Sequence, residues 1–251
     1  MSLVRNNLAP RLRLLRNALF RRFVYADVLA MAREYGMDYG DVRAGEEPFG
    51  FVLPLLAART NPPDFAALIE PAERFTPPGA PAIFNSEASV GRFLGQLAFF
   101  KGAKTVVELG CFVGWASAHL ALAVKAAGHG GRVYCLDYMQ EYLDVTLANL
   151  KRHGLGDLVT TVRGRSLDAA VLSAMPPSID LIFLDTSHAY PDTRDEILAY
   201  APRLSPGGFL VLHDSVSASG VRRSVAEVAD RFNVLTFATE QGNGVTVLQP
   251  R

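Results

Sequence analysis

The chain has 251 residues, and its 25 Lys and Arg balance its 25 Asp and Glu, so the formal net charge is zero. This balance gives no overall attraction to nucleic acid or to anionic lipid, and we expect neither as a partner. The content of 49% apolar and 20% charged residues excludes a disordered chain. No apolar run approaches the ~20 residues of a membrane span. The two cysteines, Cys111 and Cys135, lie in apolar runs, which is typical of reduced core residues in a cytoplasmic protein.

Residues 1–84 differ in pattern from the rest of the chain. Arginines interleaved with Leu and Phe predict an amphipathic helix near 10–35, and Gly and Pro then break the chain into short helices and loops. The helix could lie on a membrane surface or act as a targeting peptide. We favour packing on the main domain or on a second subunit, because solvated basic faces are common. We therefore predict a helical and irregular extension at 1–84, serving as a substrate lid or a dimer contact in a homo-oligomer.

From residue 85 to 251, strands and helices alternate and indicate a second domain of the α/β class. The predicted strands are Thr105–Leu109, Arg132–Asp137, Thr160–Arg163, Ile179–Asp185, Phe209–His213, Val234–Thr239 and Val245–Leu248. The predicted helices cover 87–100, 115–127, 140–153, a segment from 191 to before 206, and 221–232. This order predicts a mostly parallel seven-stranded sheet with helices on both faces, closed by a hairpin that adds an antiparallel C-terminal edge strand. Ligands of such sheets bind beyond the carboxyl ends of the strands.

The first two strands end in residues that suit a charged nucleotide-like ligand. Gly110 permits a tight turn, and the helix that starts near Gly114 points its free N–H groups at the same place. A dinucleotide site would carry glycine instead of Phe112, and Glu108 suits an ammonium or sulfonium better than a pyrophosphate. Asp137 ends the second strand, and its spacing from the glycine turn is typical of an acid that binds ribose hydroxyls. A purely structural glycine turn, with Asp137 as a helix cap, fits the same residues.

The fourth and fifth strands end in acids and histidines. Neighbouring strands would bring Asp185 and Asp214 to the same mouth, where two carboxylates make a divalent-cation site plausible. A nitrogen ligand from His213 would favour Mn²⁺, Fe²⁺ or Zn²⁺ over Mg²⁺. His188 is a candidate general base. The alternative is that both acids cap loops and that His188 bonds to the backbone.

Taken together, residues 85–248 resemble class I S-adenosylmethionine-dependent methyltransferases. The segment Glu108–Trp115 resembles the first motif of the catechol O-methyltransferases and their relatives. Asp185–His188, followed by Leu212–Asp214, is closer to the bacterial branch that methylates sugar hydroxyls of macrolides. The resemblance implies a Rossmann-like sheet and S-adenosylmethionine as cofactor.

The resemblance also implies roles for residues around the acceptor. It makes Asp185 and Asp214 metal ligands, with His213 standing where the macrolide-sugar enzymes carry a glutamate. His188 stands where the catechol branch has a lysine base and the macrolide-sugar branch a histidine. The change at His213 puts Mg²⁺ in question as the metal.

For the cofactor, the resemblance implies that Asp137 holds the ribose and that Phe112 packs behind the sulfonium. Ala116 occupies a position where relatives often have Ser or Thr in contact with the methionine carboxylate. Ser117 is the substitute we expect there.

These observations predict a metal-assisted O-methyltransferase for a small-molecule hydroxyl, on a sugar or phenol of natural-product type. One alternative is a metal-independent small-molecule methyltransferase. A nucleotide-binding oxidoreductase is a third possibility, which Phe112 disfavours, and a non-catalytic binding module is a fourth.

Overall fold

The computed structural model describes residues 85–251, so the predicted extension at 1–84, with its helix near 10–35, lies outside the described residues. The helices of the described range are α1 (Ala88–Lys101), α2 (Trp115–Ala127), α3 (Gln140–Arg152), α4 (Ala169–Ala174), α5 (Tyr190–Tyr200) and α6 (Ser219–Val228). Its strands are β1 (Thr105–Leu109), β2 (Arg132–Asp137), β3 (Val159–Arg163), β4 (Ile179–Leu184), β5 (Leu204–His213), β6 (Phe232–Phe237) and β7 (Val245–Pro250). None of these helices combines the length and apolarity needed to cross a membrane.

The strands form one sheet in the order β3-β2-β1-β4-β5-β7-β6. Strands β1 to β5 pair in parallel, and β7 pairs antiparallel with both β5 and β6. The predicted seven-stranded Rossmann-like sheet and its closing hairpin are confirmed. Within the hairpin, the antiparallel β7 inserts beside β5, so that β6 forms the edge. The chain reverses its direction of travel across the sheet between β1 and β4, and such a switch point is where open α/β sheets bind ligands.

Two hydrophobic layers cover the faces of the sheet, because successive strand residues point to opposite sides. On one face, strand residues such as Val106 and Phe183 join the buried residues of α1, α2 and α3. On the other face, Val107 and Ile182 pack with Ile197 of α5 and with the apolar side of α6. Burial on both faces explains why β4 and the end of β5 read as nearly continuous apolar runs.

The element bounds depart from the sequence predictions where glycine and proline interrupt the pattern. β5 begins at Leu204 and not at Phe209, and its pairing with β4 shifts register between Ile179 and Leu181. The Pro-Gly-Gly stretch is thus an irregular start of a strand. Helix α4 was not predicted, since six residues are too short to show a helical period. β6 begins at Phe232, which the pattern placed at the end of the preceding helix.

Candidate active site

The glycine turn after β1 is forced by its neighbours in the chain. Gly110 has a φ of 86°, and a Cβ built on it would lie 2.0 Å from the carbonyl oxygen of Asp185. A side chain at this position would therefore collide with the backbone that follows β4. The need for glycine comes from the close approach of two strand ends, in addition to the ligand approach that the sequence suggested.

Helix α3 and β2 hold the turn in place. Thr146 donates its hydroxyl to the carbonyl of Phe112 at 2.9 Å, and Asn149 donates its amide to the carbonyl of Val113 at 2.7 Å. The ring of Phe112 packs edge-on against Tyr142, with ring centroids 4.8 Å apart. The turn is thus held by contacts within the protein and presents a preformed surface at the mouth of the sheet.

Asp137 lies at the end of β2 and is buried. Its Oδ2 accepts the N–H of Phe112 at 3.1 Å, and its Oδ1 accepts the N–H of Met139 at 3.0 Å. Burial raises the pKa of this carboxyl, and the backbone N–H donors lower it by less. Both oxygens thus accept backbone N–H groups, although the N-cap of α3 is Met139 and not Asp137. Each keeps a further lone pair, and the ribose contact stays a prediction.

Glu108 lies beneath the turn and is 1% exposed. Its Oε2 accepts the hydroxyl of Ser117 and the thiol of Cys135, the latter at 3.5 Å. Burial raises the pKa of this carboxyl to about 8, although both donors act against the shift. Ser117 has no exposed surface and points its hydroxyl at Glu108. This contact gives Ser117 a role in holding Glu108, and its direct contact with a cofactor stays a prediction.

The structure brings together the predicted residues at the ends of β4 and β5. The Nε2 atom of His188 lies 3.0 Å from Asp185 Oδ1 and 3.2 Å from Asp214 Oδ2. From the other side, the Nδ1 atom of His213 lies 3.3 Å from Asp185 Oδ2 and 3.4 Å from Asp214 Oδ2. We call these four residues the acid–histidine cluster. Ligand atoms of Asp185, His188 and Asp214 lie within 4.8 Å of one another, close enough to hold one metal ion.

Charges in the acid–histidine cluster shift one another's pKa values strongly. Burial alone would raise the pKa of Asp185 and Asp214, but the neighbouring imidazoles hold both below the usual range. The hydrogen bond to Asp185 raises the pKa of His188. Burial alone would lower the pKa of His213, but hydrogen bonds to three carboxylates raise it to about 12. Each pair of opposite charges thus stabilises the ionised forms.

Two residues of the cluster have left-handed backbones. His188 has a φ of 57° and Asp214 a φ of 53°, and Phe112 in the glycine turn is the third such non-glycine residue among positions 85–251. A Cβ on Gly220 of α6 would lie 2.2 Å from the carbonyl oxygen of His188, so this turn fits closely against α6. Left-handed non-glycine residues cost free energy and cluster at functional sites.

A residue that the sequence analysis passed over completes the site. Glu87, just before α1, is 2% exposed, and its Oε2 lies 2.7 Å from His213 Nε2. Its Oε1 accepts the hydroxyl of Thr239, from the loop between β6 and β7, at 2.6 Å. From the sequence, Glu87 was predicted only to be the first residue of a helix. The 126 positions that separate it from His213 leave no local pattern that could reveal the contact.

Comparison with solved structures agrees with the observed sheet. A crystal structure of the O-methyltransferase TomG of Streptomyces achromogenes, in complex with S-adenosylmethionine, superposes with a TM-score of 0.59 at 20% identity. The match covers 79% of this chain and 94% of that one. At this identity, the likeness establishes the fold.

Sequence comparison identifies the family. A family model described as a methyltransferase domain matches residues 107–215. A probable cobalt-precorrin-6B C(15)-methyltransferase of Methanothermobacter thermautotrophicus is 32% identical over 106 residues, which are 42% of this chain and 50% of the relative. A catechol O-methyltransferase of Niastella koreensis is 31% identical over 191 residues, which are 73% of this chain and 83% of the relative. The chain therefore belongs to the class I S-adenosylmethionine-dependent O-methyltransferases.

Proposed function

We propose that this enzyme methylates a hydroxyl group of a natural-product-type small molecule, a phenol or a sugar, with the help of a divalent cation. The observation that carries the proposal is the acid–histidine cluster, in which Asp185 and Asp214 converge on the same space between two imidazoles. It lies next to the glycine turn, since Gly110 nearly touches the carbonyl oxygen of Asp185. The donor and the acceptor can therefore meet at one mouth of the sheet.

On the cofactor side, the residues present suit S-adenosylmethionine. Glu108 and Asp137 are carboxylates that neutral donors surround, and a cationic ligand would supply the missing positive charge. The turn in front of α2 is shaped by Gly110, Phe112 and Gly114. We propose that the ring of Phe112 packs behind the sulfonium of the cofactor. The bound cofactor supplies a methyl group made electrophilic by the sulfonium.

Both imidazoles of the cluster lie within reach of a cation held by Asp185 and Asp214. We assign His213 as its nitrogen ligand and leave His188 for the proton. Carboxylate oxygens bind hard and borderline dications, and an imidazole nitrogen adds preference for transition metals. When bound, such an ion acts as a Lewis acid that lowers the pKa of an acceptor hydroxyl. The two carboxylates stay ionised because the imidazoles lower their pKa values, so they are ready to bind.

We assign the proton transfer to His188, the more accessible of the two imidazoles. Its side chain is 32% exposed, against 5% for His213. An alcohol has a pKa near ~15.7 and free histidine one of ~6.5, a gap worth roughly 12 kcal/mol. For a phenol near ~10 the gap falls to roughly 5 kcal/mol. A sugar acceptor thus needs the cation more than a phenolic one does.

The reaction balances with His188 as the proton acceptor. With the cofactor bound, His188 would take the hydroxyl proton while a lone pair of the acceptor oxygen bonds to the methyl carbon, and the C–S electron pair would go to sulfur. The products are a methyl ether, S-adenosylhomocysteine and a protonated His188. The hydrogen bond to Asp185 raises the pKa of His188 in the absence of a cation, and a bound cation would lower it and favour the free base.

The acceptor class is supported by the named relatives. The relative from Niastella koreensis is a catechol O-methyltransferase, and TomG takes part in tomaymycin synthesis. We propose that residues 1–84 and the loop 215–220 select the acceptor.

Metal removal tests the proposal. The protein is stripped with EDTA, and formation of S-adenosylhomocysteine is measured with catechol as the probe acceptor, before and after Mn²⁺ or Mg²⁺ is added. We expect chelation to lower turnover at least ~10-fold, since Lewis-acid assistance is worth several kcal/mol, and the added ion to restore it. Full turnover in EDTA would remove the cation from the mechanism.

A metal-independent methyltransferase is the second candidate, and one observation favours it. His213 already places a nitrogen against both Asp185 and Asp214, so a protonated imidazole could supply the positive charge at this point. In that case, turnover with catechol is insensitive to EDTA, and added Mn²⁺ leaves it unchanged.

A further inference from the structure

We infer that Glu87 is a positioning residue that makes His213 a metal ligand through its Nδ1 atom, and that it thereby biases the site toward transition-metal dications over Mg²⁺. The inference rests on the proposed function, because it concerns the same cation. Beyond that function, it assigns a role to Glu87, which lies outside the strand ends, and a preference for transition-metal dications over Mg²⁺.

The first step is the orientation of the imidazole. Glu87 Oε2 lies 2.7 Å from His213 Nε2, and both side chains are buried. An ionised carboxylate only accepts hydrogen bonds, so Nε2 must carry the proton that it donates. The remaining nitrogen, Nδ1, faces Asp185 and Asp214 at 3.3 and 3.4 Å. A neutral imidazole held in this way points its lone pair into the space between the two carboxylates.

The second step is the orientation of Glu87 itself. Thr239 donates its hydroxyl to Glu87 Oε1 at 2.6 Å, and the N–H of Gly244 donates to the Thr239 oxygen at 2.9 Å. A chain of hydrogen bonds therefore runs from the β6–β7 loop through Glu87 to His213.

The third step is what this arrangement does for a metal. A carboxylate behind a metal-binding histidine fixes the tautomer and raises the basicity of the ligand nitrogen. An imidazole suits Mn²⁺, Fe²⁺, Co²⁺ and Zn²⁺, whereas Mg²⁺ prefers oxygen ligands and water. With His213 between two carboxylates, the site offers one nitrogen where an all-oxygen site would offer a third carboxylate.

The contact between Glu87 and His213 could also serve only to tie α1 to the sheet. In that case, its removal would lower stability and leave the relative affinities for metals unchanged. Glu240 provides a matched control, since its carboxylate accepts hydrogen bonds from Ser89 of α1 at the same junction.

The experiment measures metal affinity on the metal-stripped full chain. Mn²⁺ and Mg²⁺ are titrated by calorimetry into the wild type, Glu87→Gln and Glu240→Gln. We expect Glu87→Gln to weaken Mn²⁺ binding by roughly 10-fold to 100-fold and Mg²⁺ binding by much less. Glu240→Gln should bind both ions within about threefold of the wild type. His213→Asp should reverse the preference toward Mg²⁺, because it restores an oxygen ligand.

A second measurement does not depend on any variant. In the Zn²⁺-loaded wild type, ¹⁵N NMR of His213 should show a proton on Nε2 and a metal-bound Nδ1. A proton on Nδ1 overturns the inference, and so does a Glu87→Gln variant with wild-type selectivity. If the wild type binds neither Mn²⁺ nor Mg²⁺, the cation of the proposed function fails as well. Should Glu87→Gln not fold, Thr239→Val takes its place, with weaker Mn²⁺ binding expected.

Discussion

At the ends of β1 and β2, buried carboxylates face neutral donors, whereas at the ends of β4 and β5 the carboxylates face imidazoles. Glu108 accepts from a hydroxyl and a thiol, and burial raises its pKa to about 8. Asp185 is partly buried, with 19% of its side chain exposed, and two histidines hold its pKa below the usual range. Both regions consist of a strand end followed by a turn. The pKa of the carboxyl is raised in the first and lowered in the second, because neutral donors surround Glu108 and histidines face Asp185.

The difference indicates how each region takes its ligand. Under the proposed function, a cationic cofactor would supply positive charge beside Glu108 and Asp137. In the acid–histidine cluster, imidazoles already face the carboxylates, so an incoming cation would compete with protons on the imidazoles. We therefore expect the affinity for a metal to fall as the pH falls.

The two regions are also mechanically connected. The N–H of Asp185 donates to the carbonyl of Leu109 at 2.9 Å, and Gly110 fits against the Asp185 carbonyl with no room for a Cβ. Backbone contacts therefore set the spacing between the glycine turn and Asp185. The following changes test how far the two regions act separately.

The largest effect on activity should come from Asp185→Asn, which removes the charge that both histidines face. We expect turnover to fall on the order of 10³-fold, corresponding to ~4 kcal/mol of lost transition-state stabilisation. Binding of S-adenosylhomocysteine, measured by calorimetry, should change little if the regions act separately. Asp195→Asn, which alters a surface pair with Arg194 on α5, is the control. Equal loss in both variants would contradict the assignment.

Replacement of His188 should have a smaller effect on the same step. Asn is the better test than Ala, because it tolerates the left-handed backbone that His188 adopts. His188→Asn should lower kcat on the order of 10²-fold through loss of proton transfer, with the melting temperature and cofactor affinity preserved. A loss within threefold would reject His188 as the base.

Glu108→Gln should change the pH dependence of stability. The pKa of Glu108 is raised from 4.5 to about 8 in the folded protein, so its neutral form stabilises the fold at low pH. This contribution is complete below about pH 4.5 and is lost as the pH rises through about 8, with a slope of ~1.4 kcal/mol per pH unit. Urea unfolding of the cofactor-free protein from pH 5 to 8 should show the slope relative to Glu108→Gln.

The control for this measurement is Glu141→Gln, which changes an exposed carboxyl at the start of α3. It should leave the pH dependence of unfolding as in the wild type. If Glu108→Gln also keeps the wild-type slope, the buried carboxyl is ionised throughout, and the contrast between the two regions disappears.

Local sequence patterns were sufficient for much of the fold and for part of the site. The bounds of β1 and β2 were predicted to the residue, because short apolar runs end there in Gly and Asp. The meeting of Asp185 with Asp214 also followed from the sequence, since neighbouring parallel strands end at one edge. The start of β5 did not, because a proline and two glycines in a bulged strand resemble a loop.

What each residue contacts was decided by the tertiary structure. Ser117 was expected at the cofactor, and the structure adds a hydrogen bond from its hydroxyl to the buried Glu108, which the sequence did not reveal. Glu87 carried no motif, and only the packing of α1 beside β5 and the β6–β7 loop sets it against His213. By itself, the sequence determined the order of elements and the chemistry at the strand ends, because these depend on neighbours in the chain. The contacts of Glu87 with His213 and Thr239 span more than a hundred positions, and only the folded protein brings such partners together.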